Sequence, residues 1–60
     1  MVKKKYNNRG TIYDLYDETE RNQKQAKEKA KELRIDGFYS LLLPRIIGDK
    51  AVFFVYFIKK

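Results

Sequence analysis

The stretch AVFFVYFI, Ala51 to Ile58, sets eight apolar or aromatic residues in a row in a 60-residue chain of which 37% is charged. A strand with one face in water alternates apolar with polar side chains. This run therefore predicts a central strand with both faces to cover. The segment before it, FYSLLLPRII, Phe38 to Ile47, reads as its hairpin partner, joined through Gly48 and Asp49, a pair suited to a type II′ or I′ turn. Such a turn sets Leu43 opposite Phe54, Leu41 opposite Tyr56 and Arg45 opposite Val52 on one face. Leu42 opposite Val55, Pro44 opposite Phe53 and Ser40 opposite Phe57 fall on the other. Pro44 cannot donate to a ladder, so its strand belongs at a sheet edge.

Working back along the chain, a helix precedes the hairpin. The segment ERNQKQAKEKAKELR, Glu20 to Arg34, holds strong helix formers and neither Gly nor Pro, and Gly37 after Asp36 supplies a left-handed stop. Asp17 with Glu20 resembles a capping box, with Thr19 and Asn22 as a weaker competitor for the cap. Ala26, Ala30 and Leu33 form one narrow stripe that can lie close on a sheet without covering much of it. Glu20 and Lys24 are spaced for an ion pair. Lys24, Lys27, Lys31 and Arg34 share one side, read mainly as a solvated face and secondarily as an anion-binding ridge. Upstream, TIYDLYDE, Thr11 to Glu18, reads as a strand with Asp14 turned to water.

The opening MVKKKYNNRG is either a basic arm or a short strand that hairpins into Thr11 to Glu18, and the arm is the preferred reading. The expected fold is thus α+β: residues 1–10 as arm or short strand, and residues 11–60 as one β-α-β-β domain. Its one helix packs on a three-stranded sheet of order 1-3-2, a right-handed crossover leaving the C-terminal strand in the middle. The helix covers one face. The other would expose more than the few hundred Å² of contiguous apolar surface usual for a soluble monomer.

Composition limits what can cover it. A chain of 60 residues is marginally stable unless disulfides, metals or self-association supplement its core. With no Cys and no His, disulfides and the common zinc and iron sites are excluded. Self-association remains, so a homodimer is expected, with Phe53, Val55, Tyr56 and Phe57 as its interface. Neither a secretory pattern nor an apolar run long enough to span a bilayer is present, so the expectation is a cytoplasmic protein that is not transmembrane. Fourteen Lys and Arg against eight Asp and Glu give a net charge of +6, which favours anionic partners.

Aromatic side chains on an open sheet framed by cations suit nucleic acid, DNA or RNA. The segment KAVFFVYF, Lys50 to Phe57, resembles the third strand of the RNA-recognition motif at Lys50, Phe54, Val55 and Phe57. It departs where Val52 stands for an aromatic, Phe53 for a small residue and Ala51 for Gly. That resemblance implies Phe54 and Tyr13 as stacking residues. Residues 11–58 also resemble the first half of the SPOR domain, a peptidoglycan-binding fold, at Ala26, Ala30, Leu33, Gly37 and Phe38, a pattern that mostly encodes helix-on-sheet packing.

Catalysis has little to draw on. Without His or Cys, and with Ser40 the only serine, no nucleophile with a familiar base can be assembled. Asp14, Asp17, Glu18 and Glu20 crowd a strand end and a helix start, where capping and solvent account for them. The sequence therefore points to a non-enzymatic binding protein without a cofactor. Its expected nucleic-acid contacts are Lys3, Lys4, Lys5, Arg9, Lys50, Phe54, Lys59 and Lys60. The alternative is a homo-oligomeric or protein-interaction module that uses the apolar sheet face.

Overall fold

The structure, a computed structural model, describes residues 3–60, so the first two residues of the expected arm lie outside it. It is a small α+β domain with one helix and a curled, antiparallel sheet. Strands β1 (Lys5–Asn8) and β2 (Thr11–Leu15) precede helix α1 (Gln23–Ile35), and strands β3 (Phe38–Ile47) and β4 (Lys50–Lys59) follow it. The sheet has four strands in the order β1-β2-β4-β3, not three in the order 1-3-2. The difference is the N-terminal segment, which is a strand and not an arm.

That strand forms because Arg9 and Gly10 both adopt positive φ, 54° and 87°, the conformation a type I′ hairpin turn needs. Arg9 is an unexpected residue there, since a side chain in the left-handed region is strained. Asn7 Oδ1 accepts a hydrogen bond from the Gly10 N–H at 2.9 Å and helps hold the turn. At the other turn, Gly48 has a φ of 64° while Asp49 has none of positive sign, which fits type II′. The register it sets is the expected one, with Leu43 opposite Phe54, Leu42 opposite Val55 and Pro44 opposite Phe53.

The helix begins later than Asp17 or Glu20 would have it. Asn22 is the N-cap: its side chain accepts the Gln25 N–H at 2.8 Å, and Gln25 Oε1 accepts the Asn22 N–H at 3.2 Å, a reciprocal capping box. Asp17 is engaged elsewhere, accepting the Thr19 N–H and holding Arg21 in a two-pronged ion pair at 2.6 and 2.9 Å. Arg21 in turn exchanges backbone hydrogen bonds with Phe53 on the free side of β4. These demands fix residues 17–21 as a connector. Glu20 lies outside the helix, and the ion pairs among the described residues are Lys5–Asp14, Asp17–Arg21 and Lys29–Glu32, not Glu20–Lys24. The helix ends as expected, with Asp36 at the C-cap and Gly37 at φ 93°.

The core has two layers, one on each face of β4. On the helix side Ala26, Leu33 and Val55 are buried, with Phe38, Leu42, Phe53 and Phe57 packed around them. Ser40, also buried, donates its hydroxyl to the Ala30 carbonyl at 3.1 Å. On the other side Val52, Phe54 and Tyr56 are buried beneath Tyr6, Tyr13, Leu15, Leu41 and Leu43. The sheet curls so that β1 and β2 close over β4. The face that the sequence left open is covered from within the chain.

Candidate nucleic-acid interface

Alternation along the strands sorts the remaining side chains onto two faces. The convex face carries the helix. The concave face carries Tyr6 on β1, Tyr13 on β2, Tyr39, Arg45 and Ile47 on β3, and Lys50 and Ile58 on β4, in the register Tyr6–Tyr13, Tyr39–Ile58, Arg45–Val52 and Ile47–Lys50. The β2–β4 ladder is short, Asp14–Phe57 and Leu15–Tyr56, so Tyr6 and Tyr13 form a cross-strand pair on the curled hairpin while Tyr39 stands on the far strand of the same face. Tyr6 and Tyr13 are half-buried, while Tyr39 is 53% exposed. The Lys60 ammonium lies 5.1 Å from the Tyr39 ring centre, a cation–π contact on the outer strand of the sheet.

Further along the concave face, Lys3, Tyr6, Leu43, Pro44, Arg45, Phe54 and Tyr56 line a half-open pocket of about 260 Å³. The Tyr56 hydroxyl donates to the Lys3 carbonyl and ties the start of the chain to the pocket wall. Burial pushes the Tyr56 hydroxyl above its ordinary pKa, with nearby Arg45 acting weakly in the opposite direction, so the floor is uncharged at neutral pH. No Asp or Glu stands on the concave face of the four strands. Asp14, the one acidic strand residue, points to the convex side and pairs there with Lys5 at 2.6 Å.

The residues named from sequence therefore separate. Lys3 and Lys50 lie on the concave face, and Lys60 closes its far end over Tyr39. Lys5 is on the convex face, held by Asp14, and Lys4 shares a groove with Asp14, Asp17 and Glu18. Lys59 stands opposite Phe38 on the convex side, and Arg9 occupies the β1–β2 turn. Phe54 is 2% exposed beneath the curled hairpin and presents no ring to solvent. Val55 and Tyr56, named for a dimer interface, are buried within one chain, and Phe53 and Phe57 pack under the helix.

Sequence reasoning missed Tyr6, Tyr39 and Arg45. The signal for Tyr39 and Arg45 was present in the hairpin register, which sets both on the face away from the helix. On the helix, Lys24, Lys27, Lys31 and Arg34 are exposed and lie on one flank by helical spacing, opposite the flank where Lys29 reaches over Tyr16 at 5.2 Å. Comparison with protein-family models, curated proteins and solved structures finds no match to this chain. No helix among the described residues is long and apolar enough to cross a membrane.

Proposed function

We propose that the protein is a non-enzymatic nucleic-acid-binding module that takes a single strand along the concave face of its sheet. The observation that carries this reading is the make-up of that face: the three tyrosines Tyr6, Tyr13 and Tyr39, the cations Lys3, Arg45, Lys50 and Lys60, and no Asp or Glu on its strands. Aromatic rings on an open sheet stack on bases irrespective of sequence, and cations beside them attract the phosphates. Lys50 opens β4 and Lys60 follows its last residue, so at about 3.3 Å per residue the two lie roughly 33 Å apart. Between them the surface offered is that of Tyr6, Tyr13, Tyr39 and Arg45, since Val52, Phe54 and Tyr56 are buried. At about 3.4 Å per stacked nucleotide that is room for about ten, fewer where the strand is stretched.

The test is fluorescence anisotropy of a labelled ten-nucleotide single strand with the intact chain and with Tyr39→Ala and Tyr13→Ala. Stacking on a ring contributes about 1–3 kcal/mol per base, so each variant should bind roughly 5- to 150-fold more weakly. Equal binding by both variants would remove the reading. Self-association is the second reading, supported by exposed Ile46 and Ile35, 73% and 75% accessible, at opposite ends of the molecule. Light scattering at high salt distinguishes it: a concentration-dependent dimer that no longer binds the strand would favour the interaction module.

A further inference from the structure

The concave face is hollowed at one place, a half-open pocket. Its floor is apolar, from Leu43, Phe54 and the Tyr56 ring, and Tyr6 and Pro44 stand on its walls. The Tyr6 and Tyr56 rings are 6.0 Å apart and tilted by 53°, so they form a corner and not a filled stack. Lys3 and Arg45 supply the pocket's charges, and no acidic residue lines it.

Size limits the occupant. Pockets for drug-sized ligands begin at about 300 Å³. At about 260 Å³ this one takes a single ring system with part of its attached group, not two stacked bases. A purely apolar guest would leave two cations without a use, and a bare phosphate would leave the apolar floor exposed. A nucleobase carrying a phosphate satisfies both.

We infer that this pocket is a nucleotide subsite, holding one unstacked base between Tyr6 and Pro44 with the adjoining phosphate on Lys3 and Arg45. The inference rests on the single-strand reading above and adds a point of selectivity. A base inside a duplex is stacked and paired and cannot enter, whereas a splayed base of a single strand can. Binding therefore discriminates against duplex of the same length. The Tyr56 hydroxyl, already donating to the Lys3 carbonyl, takes part by holding the Lys3 wall in place.

The experiment is an amide-resolved NMR titration of the full chain with thymidine 5′-monophosphate, thymidine and inorganic phosphate in parallel. The nucleotide should shift the amides of Leu43, Arg45 and Tyr56 and bind about tenfold more tightly than either the nucleoside or phosphate alone, as one charge-assisted hydrogen bond added to base burial requires. The exposed double variant Lys3→Gln, Arg45→Gln should keep the fold, judged by an unchanged spectrum elsewhere, and lose the preference for nucleotide over nucleoside. Phosphate binding as tightly as the nucleotide would overturn the subsite. So would shifts confined to Tyr13 and Tyr39 when the ten-nucleotide strand is added, which would leave the single-strand reading standing. No response to the ten-nucleotide strand at all would overturn both.

Discussion

Replacing Tyr56 by Phe removes one oxygen from the centre of the concave face and tests how the N-terminal segment is held. The ring is buried, 3% exposed, and its hydroxyl donates to the Lys3 carbonyl. A hydrogen bond of this kind contributes a net 0.5–1.5 kcal/mol, about 1 kcal/mol in the middle of the range. The Lys3 carbonyl, at an exposed residue, regains water once its partner is gone, so no further desolvation cost is added. A 60-residue domain has a stability of roughly 3–9 kcal/mol, so the loss is a sizeable share of it. It corresponds to a fall in Tm of about 4–8 °C. The same substitution should flatten the alkaline limb of stability. Burial raises the pKa of Tyr56 in the folded state, so the folded chain holds its proton longer than the unfolded chain. Stability is intact below pH about 10, where an unfolded tyrosine titrates, and declines as pH rises through the folded pKa. Thermal unfolding by circular dichroism at pH 7 and at pH 10–11 measures both effects, with Tyr39→Phe as an exposed control expected within about 0.5 kcal/mol of the parent. An unchanged Tm, together with undiminished amide protection at Leu15, whose N–H donates to Lys4 O at 2.7 Å, would refute the anchoring of this segment.

Arg9→Asn should raise stability by about 1 kcal/mol in denaturant unfolding, because Asn visits the left-handed conformation that Arg9 is held in at φ 54°. Asp17→Asn should destabilise the chain at pH 7 and remove part of its acid sensitivity. The Arg21 hydrogen bonds hold the Asp17 carboxyl below its ordinary pKa, so its contribution is present above pH about 4 and is lost as pH falls through the lower, folded value; parallel pH–stability curves for parent and variant would show it. Pro44→Val should promote self-association, seen as a rise in mass by light scattering with concentration. Phe53 directs its backbone groups to Arg21, so the facing Pro44 directs its own outward from the β3 edge, and a residue with an N–H there completes an edge that a second chain can pair with.

The β3–β4 hairpin was legible in sequence down to its register because a two-residue Gly48–Asp49 loop permits only one pairing of the flanking runs. The helix stop was legible for the same kind of reason, a glycine where a left-handed residue is needed. The start was not. Asp17 has the right spacing for a cap, but its partner is Arg21, and that choice depends on Phe53 being near Arg21 in space. The N-terminal strand was legible only as the alternative to an arm, because Arg9-Gly10 is a poor turn by propensity and Lys3 to Lys5 dilute the apolar signal. Only contact with Val52, Phe54 and Tyr56 makes the strand worthwhile. Preferring the arm to the strand governed the reading of the site as well. With the strand absent, Phe54 and Tyr56 stood on an open face, available for stacking or for a twin. With it present they become floor, and the accessible rings are Tyr6, Tyr13 and Tyr39.

The most direct measurement of the central claim is the salt dependence of binding to a ten-nucleotide single strand, followed by tyrosine fluorescence. The chain contains no Trp, so the signal comes from the tyrosines themselves. If Lys3, Arg45, Lys50 and Lys60 each neutralise a phosphate, log K should fall with log salt at a slope of about −3, roughly a 50-fold loss of affinity between 50 and 200 mM. Stacking should quench the emission as the strand binds. A flat salt response, or binding without a change in tyrosine emission, would contradict the account.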